Sequence, residues 1–310
     1  MRILYLLGLL LVCPVVAQAQ AFTYQLLPEQ IAKNTWVVTG LTEDFSSTNG
    51  GDVVNSAFIV TDVGVLVLDT GPSRRYGEAL RQLISEITAQ PILAVYNSHH
   101  HPDHFLGNQA FADLPIYSLP STRALISSRG EAYTENMYRL LGDWMRGTDV
   151  LPPSHNIELG EHWIGEHQLT FMAFSGHSGD QADLVILDNS TGVLFAFDLV
   201  FNERALTTPD TPGLQQWIED LEHLGQLSFQ YLVPGHGVVT SDATPIDQTL
   251  SYLRWLDALL DTSSRQGLSA IDVMLQPIPE EFAEVTLTRS ELQRSVVHLY
   301  PAYEARFLVE

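Results

Sequence analysis

The feature that most constrains this chain is a histidine-rich segment at residues 97–104, which follows an apolar stretch with the character of a buried strand. Extended backbone sends residues two apart to the same side, so His99 and His101 can bind a single metal ion. A turn after them could direct Asp103 and His104 at a second ion about 4 Å away, the usual separation in two-metal sites. The alternative is an exposed polar loop that happens to be rich in histidine. Four ligand-type side chains directly after a strand favour the metal site.

Three more residues of the ligand type stand near the ends of other predicted strands and beside turns: His177, Asp198 and His236. Taken alone, a histidine flanked by glycine or an aspartate that ends a strand is more often a turn or cap residue. Together they complete two coordination sets. In this hypothesis one ion is held by His99, His101 and His177, the other by Asp103, His104 and His236, and Asp198 bridges them.

The order of apolar and turn-forming segments predicts an α/β protein. A meander of strands at residues 35–38, 57–60 and 65–68 leads to a helix at 73–88 and a strand at 91–96. A helix at 121–146 with a break near Gly130 follows. The second half has strands at 169–174, 184–187, 193–197 and 230–233, with helices at 213–227 and 244–261. The capping-box pattern at Thr288 predicts a last helix that stops before Pro301. Two halves, each a sheet with helices on one side, predict a four-layer αββα sandwich.

With these ligands and this order of elements, the chain resembles the metallo-β-lactamase superfamily. The five recurring motifs of that family match in order, over about residues 35–240, as Asp69, the 99–104 segment, His177, Asp198 and His236. The resemblance implies an αββα sandwich with metal ions at one edge between the two sheets. It also implies that Asp69 orients the ligand loop, the alternative being a turn-forming aspartate.

The donor set indicates the metal and the chemistry. Imidazole and carboxylate ligands without a thiolate suit two Zn²⁺ ions, with manganese or iron as alternatives. Two such ions would lower the pKa of a bridging water and yield a hydroxide that attacks a carbonyl carbon. Asp103 is the candidate catalytic residue, since it would both bind metal and orient that hydroxide.

The amino-terminal residues 1–21 have the pattern of a secretory signal peptide, with Arg2, an apolar run and small residues at the expected cleavage site. Cleavage is predicted after Ala19 or Ala21, and residues 22–310 are predicted to form one metallo-β-lactamase-like hydrolase domain. An uncleaved anchor and a lipoprotein attached through Cys13 are the alternatives. The only cysteine is lost with the signal. We expect a periplasmic or secreted protein without stable membrane insertion.

Composition restricts the substrate. Lys and Arg number 15 against 37 Asp and Glu, a net charge of −22, which argues against a nucleic-acid partner. The single lysine, Lys33, precedes the site motifs, so no later lysine can bind an antibiotic carboxylate as in one lactamase subclass. Zinc lactamases also carry a cysteine or no carboxylate where Asp198 stands. In this respect the chain is similar to the glyoxalase II, lactonase and other hydrolase branches.

The segments at residues 55–60, 101–108 and 198–201 resemble the exported branch of quinoprotein relay system zinc metallohydrolases and their sulfur-oxidation-associated relatives. This resemblance implies a functional link to quinoprotein dehydrogenases. The primary hypothesis is an exported binuclear zinc hydrolase that cleaves a small ester, thioester, lactone or amide. A zinc β-lactamase and a metal-loaded accessory protein of a periplasmic quinoprotein redox system are the alternatives.

Overall fold

The computed structural model describes residues 22–307, so the predicted signal peptide at residues 1–21 lies outside the described residues. Two β-sheets face each other, and helices cover the outer surface of each, as the αββα prediction requires. Across the described range, no helix combines the length and apolar character that a membrane span needs.

The first sheet has seven strands in sequential order, antiparallel from the first to the fourth and parallel from there on. Its strands are β1 (Pro28–Ala32), β2 (Thr35–Val38), β3 (Ser56–Val60), β4 (Val65–Leu68), β5 (Ile92–Tyr96), β6 (Ile116–Ser118) and β7 (His155–Asn156). The helices of this half are α1 (Arg74–Ile87), α2 (Pro102–Phe105) and α3 (Pro120–Leu141).

The second sheet has five strands in the order β12, β11, β10, β9, β8, and only the β11–β12 pair is parallel. Its strands are β8 (Gly160–Ile164), β9 (His167–Phe174), β10 (Asp183–Asp188), β11 (Val193–Phe201) and β12 (Tyr231–His236). The helices are α4 (Leu214–Leu224), α5 (Thr244–Arg265), α6 (Ala270–Met274) and α7 (Thr288–Phe307).

Side chains that alternate along each strand pack on opposite faces of the sheet, one toward the helices and the other toward the second sheet. In β4 the side chains of Val65 and Val67 pack toward α1, whereas Leu66 and Leu68 pack between the sheets. The strand is apolar throughout because both of its faces are buried. On the other side of the sandwich, Trp217 of α4 is fully buried in the core that the second sheet shares with its helices.

Two details of the predicted helices are wrong. Helix α3 runs without a break through Gly130, where the missing side chain allows Val150 to pack; a Cβ would lie 2.7 Å from Val150 Cγ1. Helix α7 continues through Pro301, because the buried residues Tyr300 and Tyr303 attach its second half to the core and outweigh the lost hydrogen bond.

The predicted capping box at Thr288 does not form. The hydroxyl of Thr288 donates to the carbonyl oxygens of Phe282 and Val285, at 3.2 and 2.8 Å. The carboxylate of Glu291, which the box would use, instead accepts a hydrogen bond from Arg294 at 2.7 Å. Tertiary partners therefore replace the local cap.

Candidate metal centre

All of the predicted ligands lie at one edge of the sandwich, where strands of both sheets end. The 99–104 segment follows β5 and enters α2, His177 follows β9, and His236 is the last residue of β12. The sequence analysis placed Asp198 near the end of a strand, but β11 continues to Phe201. Phe197 has a positive φ of 47°, and the pairing of β11 with β12 shifts there, so a bulge directs Asp198 into the site.

A first cluster joins His99, His101, His177 and Asp198, whose ligand atoms all lie within 4.8 Å of one another. The Nε2 atoms of His99 and His177 are 3.7 and 3.8 Å from Asp198 Oδ2. These four residues come from three separate parts of the chain, so the fold brings together the first predicted set and its proposed bridge.

A second cluster joins Asp103, His104 and His236, again with ligand atoms within 4.8 Å. Asp198 also faces this cluster: its Oδ1 is 3.2 Å from His104 Nε2 and its Oδ2 is 3.4 Å from His236 Nε2. The Nε2 atom of His236 is 3.5 Å from Asp103 Oδ2. Asp198 therefore lies between the two sets of side chains.

Several ligand atoms of the two clusters have no hydrogen-bond partner among the described residues. Within residues 22–307, the Nε2 atoms of His99, His104 and His177 and the Oδ1 atom of Asp198 are buried and make no hydrogen bond. Buried polar atoms are normally paired, and imidazole nitrogens and carboxylate oxygens are preferred zinc ligands. The residues present thus fit divalent metal ions.

Asp69 occupies a central supporting position. It is fully buried with a positive φ of 59°. Its Oδ1 accepts the backbone N–H of Ser98 at 2.8 Å, and its Oδ2 accepts the Ser98 hydroxyl and His104 Nδ1, both at 2.7 Å. A carboxylate on Nδ1 leaves Nε2 of His104 for a metal ion, which is how outer partners orient histidine ligands.

The other ligands have partners of the same kind, and sequence reasoning missed them. The carbonyl oxygen of Val53 lies 2.6 Å from His236 Nδ1, and Asp183 Oδ1 lies 3.4 Å from His177 Nδ1. The carboxylate of Asp183 also accepts the backbone N–H groups of His177 and Ser178, at 3.0 and 2.8 Å. Nothing local in the sequence marks Val53 or Asp183, because their roles depend on contacts across the fold.

Asp210 was missed as well. Its Oδ2 is 3.1 Å from His101 Nε2 and 3.4 Å from His100 Nε2, and it also binds Arg129. Burial alone would raise the pKa of Asp210, but the neighbouring imidazoles of His100 and His101 hold it far below its ordinary value. His100, which fitted no coordination set in the sequence, thus forms a group with His101 and Asp210. The only local signal for Asp210 is its place in a proline-rich turn.

The charges of the ligands respond to their surroundings. Burial lowers the pKa of His99 well below its usual value, which keeps the ring neutral as a metal ligand requires. Burial also tends to lower the pKa of His104, but the surrounding carboxylates, led by Asp198, outweigh burial and hold this pKa well above its usual value. The pKa of Asp198 is held well below its usual value because His104 and its neighbours outweigh the effect of burial.

A cavity of about 400 Å³ opens over the ligands. Phe45, Tyr133 and Leu140 give it an apolar wall, while Arg204 and Arg294 supply positive charge. Arg294 belongs to α7 and also binds Asp44 in the loop before β3, so the carboxyl-terminal helix helps to shape this cavity. The sequence analysis had placed neither arginine at the site.

An αββα sandwich with clustered histidine and aspartate ligands at one edge defines a class of metal-binding proteins that are mostly hydrolases. This chain belongs to the metallo-β-lactamase superfamily, since the family model described by that name matches residues 49–236. Members of the superfamily typically bind zinc. A search of curated protein sequences finds no match.

Solved structures share the fold. A metallo-β-lactamase from Pontibacter korlensis superposes with a TM-score of 0.60 at 22% identity, covering 74% of this chain and 99% of its own. IND-7 metallo-β-lactamase has a TM-score of 0.59 at 19% identity and covers 76% and 100%. DIM-1 metallo-β-lactamase has a TM-score of 0.55 at 20% identity and covers 74% and 97%. At these identities the likeness establishes the fold alone.

Proposed function

We propose that this protein is an exported binuclear zinc hydrolase that acts on a small ester, thioester, lactone or amide. The observation that carries the proposal is the position of Asp198, whose carboxylate faces both ligand clusters at 3.2–3.8 Å. Asp198 is also the residue that separates this chain from zinc lactamases with a cysteine in that place. Its carboxylate supports a bridging role between two ions.

The chain's own residues have separable roles in this proposal. The metal ligands would be His99, His101, His177, Asp103, His104, Asp198 and His236, and bound divalent ions would supply activation of water and polarisation of a carbonyl group. Asp103 lines the cavity beside His236, and in this proposal it would orient the attacking water and accept its proton. The apolar wall formed by Phe45, Tyr133 and Leu140 would hold the substrate and exclude bulk water from the carbonyl group.

The cellular setting is part of the proposal. The signal-peptide pattern at residues 1–21 supports export to the periplasm or beyond, and the net charge of −22 supports a small-molecule substrate over a nucleic acid. The segments at residues 55–60, 101–108 and 198–201 support the quinoprotein relay branch and a functional link to quinoprotein dehydrogenases.

Metal analysis followed by a substrate screen tests the proposal. The purified protein is assayed for zinc, manganese and iron, then with thioesters, lactones, esters, amides and a chromogenic cephalosporin, with and without chelator. We expect two zinc ions per chain and chelator-sensitive turnover of one of the non-antibiotic classes. Turnover of the cephalosporin alone would make the protein a lactamase, and no turnover by the zinc-loaded protein would favour the accessory role.

The variant Asp103→Asn tests the mechanism. It should abolish turnover, because the amide keeps the size of the side chain but neither accepts the proton nor binds a metal ion as a carboxylate does. Compared in the metal-free state, the variant and the wild type should unfold at similar temperatures. The matched control is Asp149→Asn on the exposed surface, which should keep wild-type rates. Wild-type turnover by Asp103→Asn would contradict the assigned role.

A further inference from the structure

A second cavity lies beside β7 and β8, which are edge strands of the first and the second sheet. It measures about 380 Å³, within the range of small-molecule sites. None of its lining residues among residues 22–307 also lines the metal-site cavity. We call this cavity the aromatic slot, and its lining consists of Tyr96, Tyr117, Asn156, Ile157, Glu158, His162, Trp163, Ile164 and Phe171.

The slot is built on a ladder of rings that crosses from one sheet to the other. The distances between the centroids of successive rings are 5.0 Å for His155 and Tyr117, 5.3 Å for Tyr117 and Tyr96, 5.4 Å for Tyr96 and Phe171, and 5.7 Å for Phe171 and His162. Each ring comes from a different strand: β7, β6, β5, β9 and β8 in turn. Tyr96 stacks against Tyr117 and Phe171 with interplanar angles of 18° and 23°, whereas His155 and His162 are inclined by 36° and 62° to their neighbours. A wall of aromatic rings favours an aromatic ligand, because stacked and edge-to-face contacts add to the burial of area.

Some polar atoms of the slot make no hydrogen bond to the part of the chain that the structure describes. The Nε2 atom of His162 is buried and has no such partner within residues 22–307. Tyr96 is only 8% exposed, and across the described part of the chain its hydroxyl and that of Tyr117 make no hydrogen bond. Burial raises the pKa of Tyr96 to about 12, so its hydroxyl remains a donor at neutral pH. Because buried polar atoms are almost always paired, the Nε2 atom of His162 is available to a ligand.

The charged and aromatic residues of the slot also indicate the charge of the ligand. Among residues 22–307, Glu158 lines the slot, whereas no lysine or arginine does. Trp163 is 68% exposed, which leaves an indole face open at the rim. Electron-rich rings beside a carboxylate attract a cation and repel an anion.

We infer that the aromatic slot binds a planar aromatic compound that carries a positive charge. The ring ladder would contact its flat face, Trp163 and Glu158 would hold its charge, and His162 and the tyrosine hydroxyls would bind its polar substituents. This site is separate from the metal centre, so the inference stands or falls independently of the proposed hydrolase activity.

Isothermal titration of the zinc-loaded protein with N-methylquinolinium, a flat aromatic cation, tests the inference. We expect saturable binding, and binding of the anionic analogue 2-naphthoate should be at least about tenfold weaker. Trp163→Ala and Glu158→Gln should each weaken the cation by about tenfold, and Trp163→Phe should restore most of the affinity. Both positions are exposed, so the variants should fold.

The matched control is Leu275→Ala, which removes a side chain that is 70% exposed elsewhere on the surface. It should leave binding unchanged. Absence of N-methylquinolinium binding at millimolar concentration would overturn the inference. So would binding that Trp163→Ala does not alter, since the probe would then lie elsewhere, and so would equal affinity for 2-naphthoate.

Discussion

The substitution Asp69→Asn separates orientation of a metal ligand from general stability. The carboxylate of Asp69 accepts hydrogen bonds from His104 Nδ1, the Ser98 hydroxyl and the Ser98 backbone N–H, at 2.7, 2.7 and 2.8 Å. An asparagine has the same shape but only one acceptor oxygen, so its amide nitrogen must face a donor. His104 then loses the partner that holds its Nε2 toward Asp198.

The expected loss can be estimated from these contacts. Removing an outer partner of a metal ligand typically lowers metal affinity by 10- to 100-fold, which is about 1.4–2.8 kcal/mol. Losing a hydrogen bond to a buried charged group should also reduce the free energy of unfolding by about 2–3 kcal/mol. We therefore expect Asp69→Asn to retain its fold, bind the ion of the His104 cluster at least tenfold more weakly, and unfold at lower denaturant concentration.

The chain supplies a matched control in Asp188→Asn. The carboxylate of Asp188 accepts His167 Nδ1 at 2.7 Å, the Thr191 hydroxyl at 2.6 Å and the Ser190 backbone N–H at 2.9 Å, and these residues belong to neither ligand cluster. The variant Asp188→Asn should lose a similar amount of stability without a change in zinc affinity. Competition titrations of the metal-free proteins against a chromogenic chelator measure the affinities, and urea unfolding measures stability. Equal zinc affinities for wild type and Asp69→Asn, or an equal loss of zinc affinity in Asp69→Asn and Asp188→Asn, would refute the reasoning.

Further predictions test packing, sterics and pH. Trp217→Phe should lower the free energy of urea unfolding by about 1–3 kcal/mol, because the Leu199 carbonyl loses its buried indole N–H donor at 3.0 Å. Gly235→Ala should reduce bound zinc by elemental analysis, since a Cβ there would lie 1.8 Å from Asp198 Oδ1; undiminished metal content would contradict it. Burial raises the pKa of Asp52 to about 6, above its value of 3.8 in the unfolded chain. The free energy of unfolding should therefore fall as pH rises from about 4 to 6, because the folded protein holds this proton more tightly than the unfolded chain. Asp52→Asn should remove this part of the fall when unfolding is measured across the same pH range. Chelator should lower the midpoint of thermal unfolding, and added zinc should restore it.

Several elements of the fold follow from local patterns. The apolar stretches with flanking turn residues predicted β2, β4 and α1 to within a residue or two, because strands buried on both faces and an amphipathic helix have distinct periods. The short strands β7 and β8 were not predicted. Their residues are mostly exposed, and pairing with neighbouring strands is what makes them strands.

The candidate ligands could be named from the sequence because their residue types and positions after strands are chemically restrictive. Their partners could not. Asp183 and Asp210 are ordinary aspartates in their own segments, and they become important only where β10 and the turn before α4 approach His177 and His101. The same limit applies to Arg294, which reaches the cavity only because α7 packs back across the second sheet.

The sequence by itself determined the sandwich class and the histidine and aspartate residues that converge, since periodicity and donor chemistry are local properties of the chain. The tertiary structure decided everything that depends on packing at a distance. It continued α7 through Pro301, since buried contacts of Tyr300 and Tyr303 outweigh a missing hydrogen bond. It also placed Asp198 between two clusters through a bulge in β11 and formed a ring-lined cavity from five separate strands. Such arrangements depend on how elements far apart in sequence pack together, which no local pattern encodes.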